Sequence, residues 1–425
     1  MNYFYHIDPL TSLHEAETKD SRNIKILDLR SSLEDESNIR ELKPGCHLIK
    51  LQHMQLEKSD YLTNLFTNLS KLYGNNKDYK FTIVPLHTES YLPVKYEDES
   101  SNYITEKKLY DFISEYKNFR IISDNPLSKF FDFHPRVWAE TYLLYPTLNI
   151  AYFYLNDIIS NFNAQYRISY RVNKYNEFRF TTLKQLSTIS DDKFYYSYND
   201  FYKSNRIPKC KNKINTPSYV VPTELQELNL FGDQVNNLWK YPIDTKNINL
   251  LSFLGRRYSF YQSEKGFITQ SLTGMENLYQ YLVSDVEIVY DTHTYDPDYN
   301  VRKLDEKTLL PILLGKSFIH IHPWSHLIMK AYGLKTFDIL YDKNLLEFYN
   351  SFGNDISLNV DLSKEYKTVL KYIKPTVEKI CSYTEKEWKE LNESLKSIKE
   401  YNFNRVIDIL KINFFEEVYP IQEYK

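Results

Sequence analysis

The chain has 425 residues and a formal net charge of −3, from 53 Lys and Arg against 56 Asp and Glu. At roughly 150 residues per domain this length holds two packed domains, and the lack of a basic excess argues against bulk binding of nucleic acid. Cys46, Cys210 and Cys381 lie far apart in the sequence, so neither a disulfide framework nor a cysteine zinc site is indicated.

The sequence contains no segment that would direct it into a membrane. Residues 1–10 lack a basic stretch followed by an apolar one, and no apolar run approaches the ~20 residues that span a bilayer. A cytoplasmic protein without a membrane partner is therefore expected.

Glycine is scarce, with nine residues in the chain, and no two glycines are closer than eight positions. This spacing excludes both GxGxxG and GxxxxGK[ST], and with them Rossmann dehydrogenases, P-loop NTPases and protein kinases of ordinary sequence. The 39 Tyr and 25 Phe could supply stacking surfaces for sugars or bases, but together with abundant Lys, Asn and Ile they are typical of an AT-rich genome.

Residues 1–160 alternate short apolar runs with amphipathic stretches, which predicts an α/β domain with a mainly parallel sheet. Ligands of such sheets bind beyond the carboxyl ends of the strands. The predicted strands are Ile24–Leu29, His47–Leu51, Phe81–Leu86, Phe119–Ile122 and Asn149–Tyr154, and the predicted helices are Asp60–Leu72 and Glu106–Tyr116.

The rest of the chain is predicted to form a junction, a second α/β domain and a helical tail. Residues 161–245 are the junction, with strands at Tyr166–Val172 and Glu177–Thr182 and a loop rich in Lys and Pro that is either solvated or faces phosphate. Residues 246–360 again alternate apolar runs with amphipathic stretches and are predicted to form the second α/β domain. Residues 361–425 are predicted to be helical. The predicted elements of the second domain are Tyr261–Leu272, Val286–Tyr290, Lys307–Leu314, Ser317–His322 and Ser325–Tyr332.

The segment from Leu304 to Phe337 carries the clearest functional signal. Its charged triplet Asp305-Glu306-Lys307 opens a short apolar helix that leads into a buried strand. At a helix amino terminus Lys307 could hold a phosphate while Glu306 accepts hydrogen bonds from sugar hydroxyls. Alternatively, Asp305 is an ordinary N-cap.

This order of Glu-Lys, helix, small residue and apolar strand resembles the donor-site motif of the fucosyltransferases, which have two Rossmann-like domains in the GT-B architecture. It is also similar to phage- and large-virus-encoded glycosyltransferase-like proteins. A second match is Leu250–Leu272, where a strand leads to Arg256 and Arg257 and then to a helix. The matching residues of the first motif are Glu306, Lys307, Thr308, Gly315, Lys316, Ser317, Phe318, Ile319, Tyr332, Gly333, Leu334, Lys335, Thr336 and Phe337.

The resemblance implies a GT-B-like fold whose carboxyl-terminal half, at residues 246–360, binds a nucleotide-diphosphate sugar. Arg256 or Arg257 and Lys307 would contact the diphosphate, and Glu306 the ribose or sugar. Transfer would need no metal or other cofactor, because arginine and lysine neutralise the leaving diphosphate. The residues His322, Trp324 and Ser325 follow the strand at the donor-facing loop, where Ser325 is also predicted to cap the next helix.

The amino-terminal half would then bind the acceptor, which could be a modified DNA base, a glycan or a protein. Transfer needs a base near the acceptor hydroxyl, and His134 and Glu140 in the segment Asp132–Tyr142 are the best candidates. The same segment could instead be a helix start at Pro135 that packs Trp138 into the core.

Two other classes of function remain open from the sequence. A virion or assembly protein could keep the fold for binding and lack turnover. His320, His322 and His326 could bind zinc and form a hydrolase, since alternate residues of a strand share a face. The pair Asp296 and Asp298 is similar to a metal–diphosphate motif, although a polar loop explains it as well.

Overall fold

The computed structural model describes residues 2–6, 25–28, 42–51, 59–85, 110–111, 113–126, 128, 131–138, 164–172, 177–198, 284–290, 304–322, 324–351 and 362–411. These residues form an α/β structure with two parallel sheets and carboxyl-terminal helices. No helix among these segments combines the length and apolarity needed to cross a membrane.

The first sheet contains six parallel strands in the order β2-β1-β3-β4-β5-β6. Helix α1, at Ser59–Tyr73, connects β3 and β4, and it buries Phe66, Leu69 and Tyr73 at helical spacing. The strands are β1 (Asn2–His6), β2 (Lys25–Asp28), β3 (Gly45–Leu51), β4 (Tyr79–Pro85), β5 (Phe119–Ser123) and β6 (Asp132–Phe133).

The second sheet contains four parallel strands in the order β10-β9-β7-β8. Its strands are β7 (Tyr166–Val172), β8 (Phe194–Tyr198), β9 (Ser284–Val289) and β10 (Ser317–His320). In each sheet the strand that comes first in the chain lies between the second and the third, so the winding reverses beside it. Such a reversal is the place where open α/β sheets bind ligands, outside the carboxyl ends of the strands.

Helices cover both faces of the second sheet. Helix α2 (Glu177–Leu186) connects β7 to β8 and α3 (Glu306–Leu313) connects β9 to β10. Because β8 and β10 lie on opposite sides of the central pair, right-handed crossovers put α2 and α3 on opposite faces. The remaining helices are α4 (Ser325–Ala331), a 3-10 turn (Asp338–Leu340), α5 (Lys343–Ser351), α6 (Leu362–Ser382) and α7 (Glu385–Lys411), of which α6 packs on α2 and α7 on α3.

One face of the second sheet buries a network of charged and polar side chains. Glu287 on β9 accepts hydrogen bonds from Arg171 Nε (3.0 Å), Arg171 Nη2 (2.9 Å) and Ser169 Oγ (2.6 Å). Lys316 Nζ donates to Ser284 Oγ at 3.3 Å. Burial lowers the pKa of Lys316 to about 7, although Glu287 opposes that shift.

The two halves of the chain contact each other through aromatic side chains. Trp138, in a short helix over 135–138, packs its ring 4.3 Å from the Tyr332 ring and donates from Nε1 to Leu304 O at 2.7 Å. The Tyr332 hydroxyl donates to Asp124 O. Residues that follow the carboxyl ends of β5 and β6 therefore contact residues that follow those of β9 and β10.

Replacing Trp138 with phenylalanine tests this contact. Phenylalanine keeps an aromatic side chain, although a smaller one, and the buried carbonyl of Leu304 loses its donor. The free energy of unfolding should fall by about 1–3 kcal/mol from the lost hydrogen bond, with a further loss from the smaller ring. Urea unfolding measures this quantity. A Trp138→Phe variant within about 0.5 kcal/mol of the parent would show that the hydrogen bond does not contribute to stability.

The sequence predicted most of the described elements, gave one the wrong type and missed the strands β1, β6 and β8. The predicted strand Glu177–Thr182 is wrong, because these residues begin helix α2. Phe178 and Phe180 alternate as in a strand, but Arg179, Thr182, Leu183 and Leu186 are the buried residues, at the spacing of a helix. The predicted Asn149–Tyr154 strand and Tyr261–Leu272 helix lie outside the described residues.

The range predicted as a junction, 161–245, supplies β7 and β8, which belong to one sheet with β9 and β10 and join it through the pairing of β7 with β9. The carboxyl-terminal helices predicted for residues beyond 361 are present as α6 and α7.

Candidate functional site

The first turn of α3 is held by Asp305. The Asp305 carboxylate accepts a hydrogen bond from the Lys307 backbone N–H at 2.8 Å, which confirms the predicted N-cap. Its second oxygen lies 3.1 Å from Lys307 Nζ. The Asp305 side chain is 1% exposed and that of Lys307 is 29% exposed, so a buried anion holds a partly exposed cation at a helix amino terminus.

Lys307 is the residue of this turn that could contact an anionic ligand. The backbone N–H groups of Lys307 and Thr308 already donate to Asp305, at 2.8 Å and 3.1 Å. The ammonium group of Lys307 has three N–H donors, so the ion pair with Asp305 does not prevent it from contacting a phosphate. Glu306 begins the helix, and its side chain is outside the described part of the chain.

The amino-terminal half reaches this turn. Trp138 Nε1 bonds to the carbonyl of Leu304, the residue directly before Asp305. The segment predicted to carry the acceptor base therefore lies beside the helix predicted to carry the donor site. The sequence did not identify Leu304, Tyr332 and Asp124 as residues that join the two halves. Their contacts link positions 166 and 208 residues apart in the chain, and such distant contacts leave no local pattern in the sequence.

His134 closes the turn that starts the 135–138 helix. Its backbone N–H donates to Ser123 O at 3.0 Å and its Nδ1 accepts from Arg136 N at 3.2 Å. The alternative interpretation of this segment is confirmed: a helix starts at Pro135, and Trp138 is buried in the core. Glu140 lies outside the described residues.

The three histidines near β10 do not form the predicted zinc site. They are all described and buried, yet the described residues contain no group of three or more His, Cys, Asp or Glu that could hold a metal. His320 Nε2 lies 3.3 Å from Thr308 Oγ1, His322 Nδ1 accepts from Trp324 N at 3.1 Å, and His326 Nδ1 lies 3.9 Å from Asp338 Oδ1.

The segment after β10 is a buried turn in this conformation. His322, Trp324 and Ser325 are each at most 1% exposed. The prediction that Ser325 caps α4 is wrong, because Trp324 occupies the N-cap position and Ser325 is the first helical residue. The imidazole of His322 takes the place of a cap by accepting from Trp324 N.

The other predicted contacts to the donor lie beyond the described segments. These contacts are Arg256 and Arg257. The Lys- and Pro-rich loop, predicted as solvated or phosphate-facing, and the Asp296 and Asp298 pair also lie outside the described residues. Their roles stay predictions.

Comparisons with protein-family models, curated proteins and solved structures give no match to this chain.

Proposed function

We propose that the protein is a metal-independent glycosyltransferase of GT-B-like architecture, which transfers a sugar from a nucleotide-diphosphate donor bound at the first turn of α3. The observation that carries this proposal is the hydrogen bond from Trp138 to Leu304. It brings the segment after β6 to the turn that contains Lys307. Two parallel sheets then have ligand-binding edges close together, as a two-substrate transferase requires.

Each residue of the turn has a defined part in this proposal. Lys307 contacts the donor diphosphate, where it offsets the negative charge that develops on the leaving group. Asp305 keeps Lys307 at the helix end. Glu306 accepts hydrogen bonds from donor hydroxyls, Arg256 or Arg257 supplies a second cation, and His134 or Glu140 removes the acceptor proton.

A Lys307→Ala variant tests the donor site without disturbing the cap, since Asp305 still accepts from the backbone N–H at position 307. Thermal shifts are measured with UDP, GDP, ADP, CMP and dTDP and their sugars. A ligand at a hundred times its dissociation constant stabilises a protein by about 2.7 kcal/mol. We expect one nucleotide to stabilise the parent, and Lys307→Ala and Arg256→Ala/Arg257→Ala to lose the effect.

The matched control is Lys330→Ala, which removes an exposed cation from the last turn of helix α4. The nucleotide should stabilise Lys330→Ala against heat as much as it stabilises the parent. If Lys307→Ala responds to the nucleotide like Lys330→Ala, the donor site is elsewhere.

A second function is favoured by the buried turn after β10. With His322, Trp324 and Ser325 covered, this conformation leaves them unable to contact a donor. A binding or assembly protein of a virion that keeps the fold without turnover fits that observation. It predicts flat thermal shifts with every nucleotide and stoichiometric presence in purified particles.

A further inference from the structure

A basic cleft lies at the amino ends of β4 and β5, the opposite edge of the first sheet from the residues that contact Leu304 and Tyr332. Its volume is about 650 Å³. The turns that precede the two strands form its walls together with the first residues of each strand. Among the described residues, the charged ones that line it are four cations, Lys77, Lys80, Lys117 and Arg120, and one carboxylate, Glu115.

The walls of the cleft are fixed by close backbone contacts. A Cβ at Gly74 would lie 2.4 Å from Tyr116 Cδ1 and 2.5 Å from Ser70 O, so only glycine allows the two turns to approach. Asn118 Nδ2 donates to Tyr73 O at 2.7 Å, and Asn118 O accepts from Phe81 N at 2.8 Å. A chain with nine glycines places one where it shapes this cleft.

One cation of the cleft is also held in position. Arg120 Nε donates to Thr82 Oγ1 at 3.0 Å, and Thr82 is 1% exposed. A guanidinium has five N–H donors in a planar fork, and the bond through Nε fixes the orientation of that fork. Phe81 and Phe119 also line the cleft, with ring centroids 4.7 Å apart.

We propose that this cleft binds a small phosphorylated molecule. Four cations against one carboxylate select a ligand with several negative charges, and the guanidinium of Arg120 matches a phosphate in geometry. The Asn75 and Asn76 amides on the rim suit its hydroxyl groups. The volume lies in the ~300–1,000 Å³ range of small-molecule sites, and the acidic net charge of the chain opposes a nucleic-acid partner.

This site is separate from the proposed donor site. Donor binding is assigned to the carboxyl edge of the second sheet, whereas the cleft lies at the amino edge of the first. The proposal therefore does not depend on the glycosyltransferase function.

Inorganic pyrophosphate, titrated calorimetrically into the full chain at fixed ionic strength, tests the proposal. The chain carries Lys307→Ala so that the donor site does not contribute. We expect binding to persist there and to weaken by about tenfold or more when Lys77→Ala/Lys117→Ala is added, since two charge-assisted contacts are lost. Both lysines are exposed, so folding is preserved.

The control is Lys43→Ala/Lys71→Ala, which removes the same charge from exposed positions that do not line the cleft. It should change the affinity by about twofold at most. Equal weakening by both double variants overturns the proposal, since binding would then reflect overall charge. Pyrophosphate binding that disappears with Lys307→Ala alone also overturns it, while supporting the donor site.

A short single-stranded oligonucleotide tests whether the cleft prefers nucleic acid to a small phosphorylated molecule. Binding of the oligonucleotide about a hundredfold tighter than pyrophosphate through Lys77 and Lys117 would assign the cleft to nucleic acid and overturn the small-molecule class. Weaker binding than pyrophosphate is the expected result.

Discussion

Replacing Glu287 with alanine is expected to lower the free energy of unfolding by about 3–5 kcal/mol, because it leaves buried cations without their anion. The Glu287 and Arg171 side chains are 4% and 6% exposed. Lys316, 6% exposed, also depends on the Glu287 charge to offset its burial. Urea unfolding monitored by circular dichroism measures the loss.

Two further variants separate the charge effect from a cavity effect. The Arg171→Met/Glu287→Met double variant replaces the pair with apolar side chains, and it should be more stable than Glu287→Ala. The control is Glu390→Ala, which breaks an exposed pair in which Lys386 Nζ lies 3.9 Å from Glu390 Oε1. Its effect should stay within about 0.5 kcal/mol. A Glu287→Ala variant as stable as Glu390→Ala would contradict the account of this network.

The protein is expected to lose stability steeply as the pH falls below 6.5. Burial lowers the pKa of His47 to about 4, of His320 to about 3 and of His326 to about 4. Each histidine is neutral in the folded chain at a pH where the unfolded chain is already protonated. The unfolded state then binds more protons, so acid favours unfolding.

The free energy of unfolding is expected to change steeply with pH. Each histidine contributes at most about 1.4 kcal/mol per pH unit, and three together about 4 kcal/mol per unit between their folded and unfolded pKa values. A typical domain has a stability of about 5–15 kcal/mol, so two pH units remove a large share of it. The urea midpoint should therefore fall sharply between pH 7 and pH 5.

A His326→Phe variant checks the origin of that slope. His326 packs with ring centroids 5.0 Å from both Tyr341 and Tyr349, so an aromatic ring suits the site. The variant should lose about a third of the pH slope, whatever its stability at pH 7. A urea midpoint that stays constant from pH 7 to pH 5 in the parent would contradict the assignment.

The alternation of apolar runs predicted much of the two parallel sheets because several strands are nearly continuous buried runs. Tyr166–Val172 and Ser317–His320 bury nearly every residue, and such runs read directly from the sequence. The short β6 and the strands Asn2–His6 and Phe194–Tyr198 were missed. The two residues of β6 are too few to show the alternation of a strand. The strand Asn2–His6, with the sequence NYFYH, does not stand out in a chain with 39 Tyr.

The candidate site was predictable only in part. The cap at Asp305 follows from local residue types, so the sequence identified it. The ion pair between Asp305 and Lys307 and the burial of Trp324 depend on tertiary packing, which the motif does not encode. In the cleft, a repeated pattern could have served as a signal, since Lys77 and Lys117 each stand two residues before an aromatic residue that a cation follows.

The most direct test of the donor site is amide hydrogen–deuterium exchange of the full chain with the nucleotide sugar that gives the largest thermal shift. The account predicts slower exchange in residues 304–310, where the Lys307 turn contacts the diphosphate, and unchanged exchange in the same peptide of Lys307→Ala. Exchange in residues 304–310 that the nucleotide sugar leaves unaltered, or protection confined to other peptides, would contradict it.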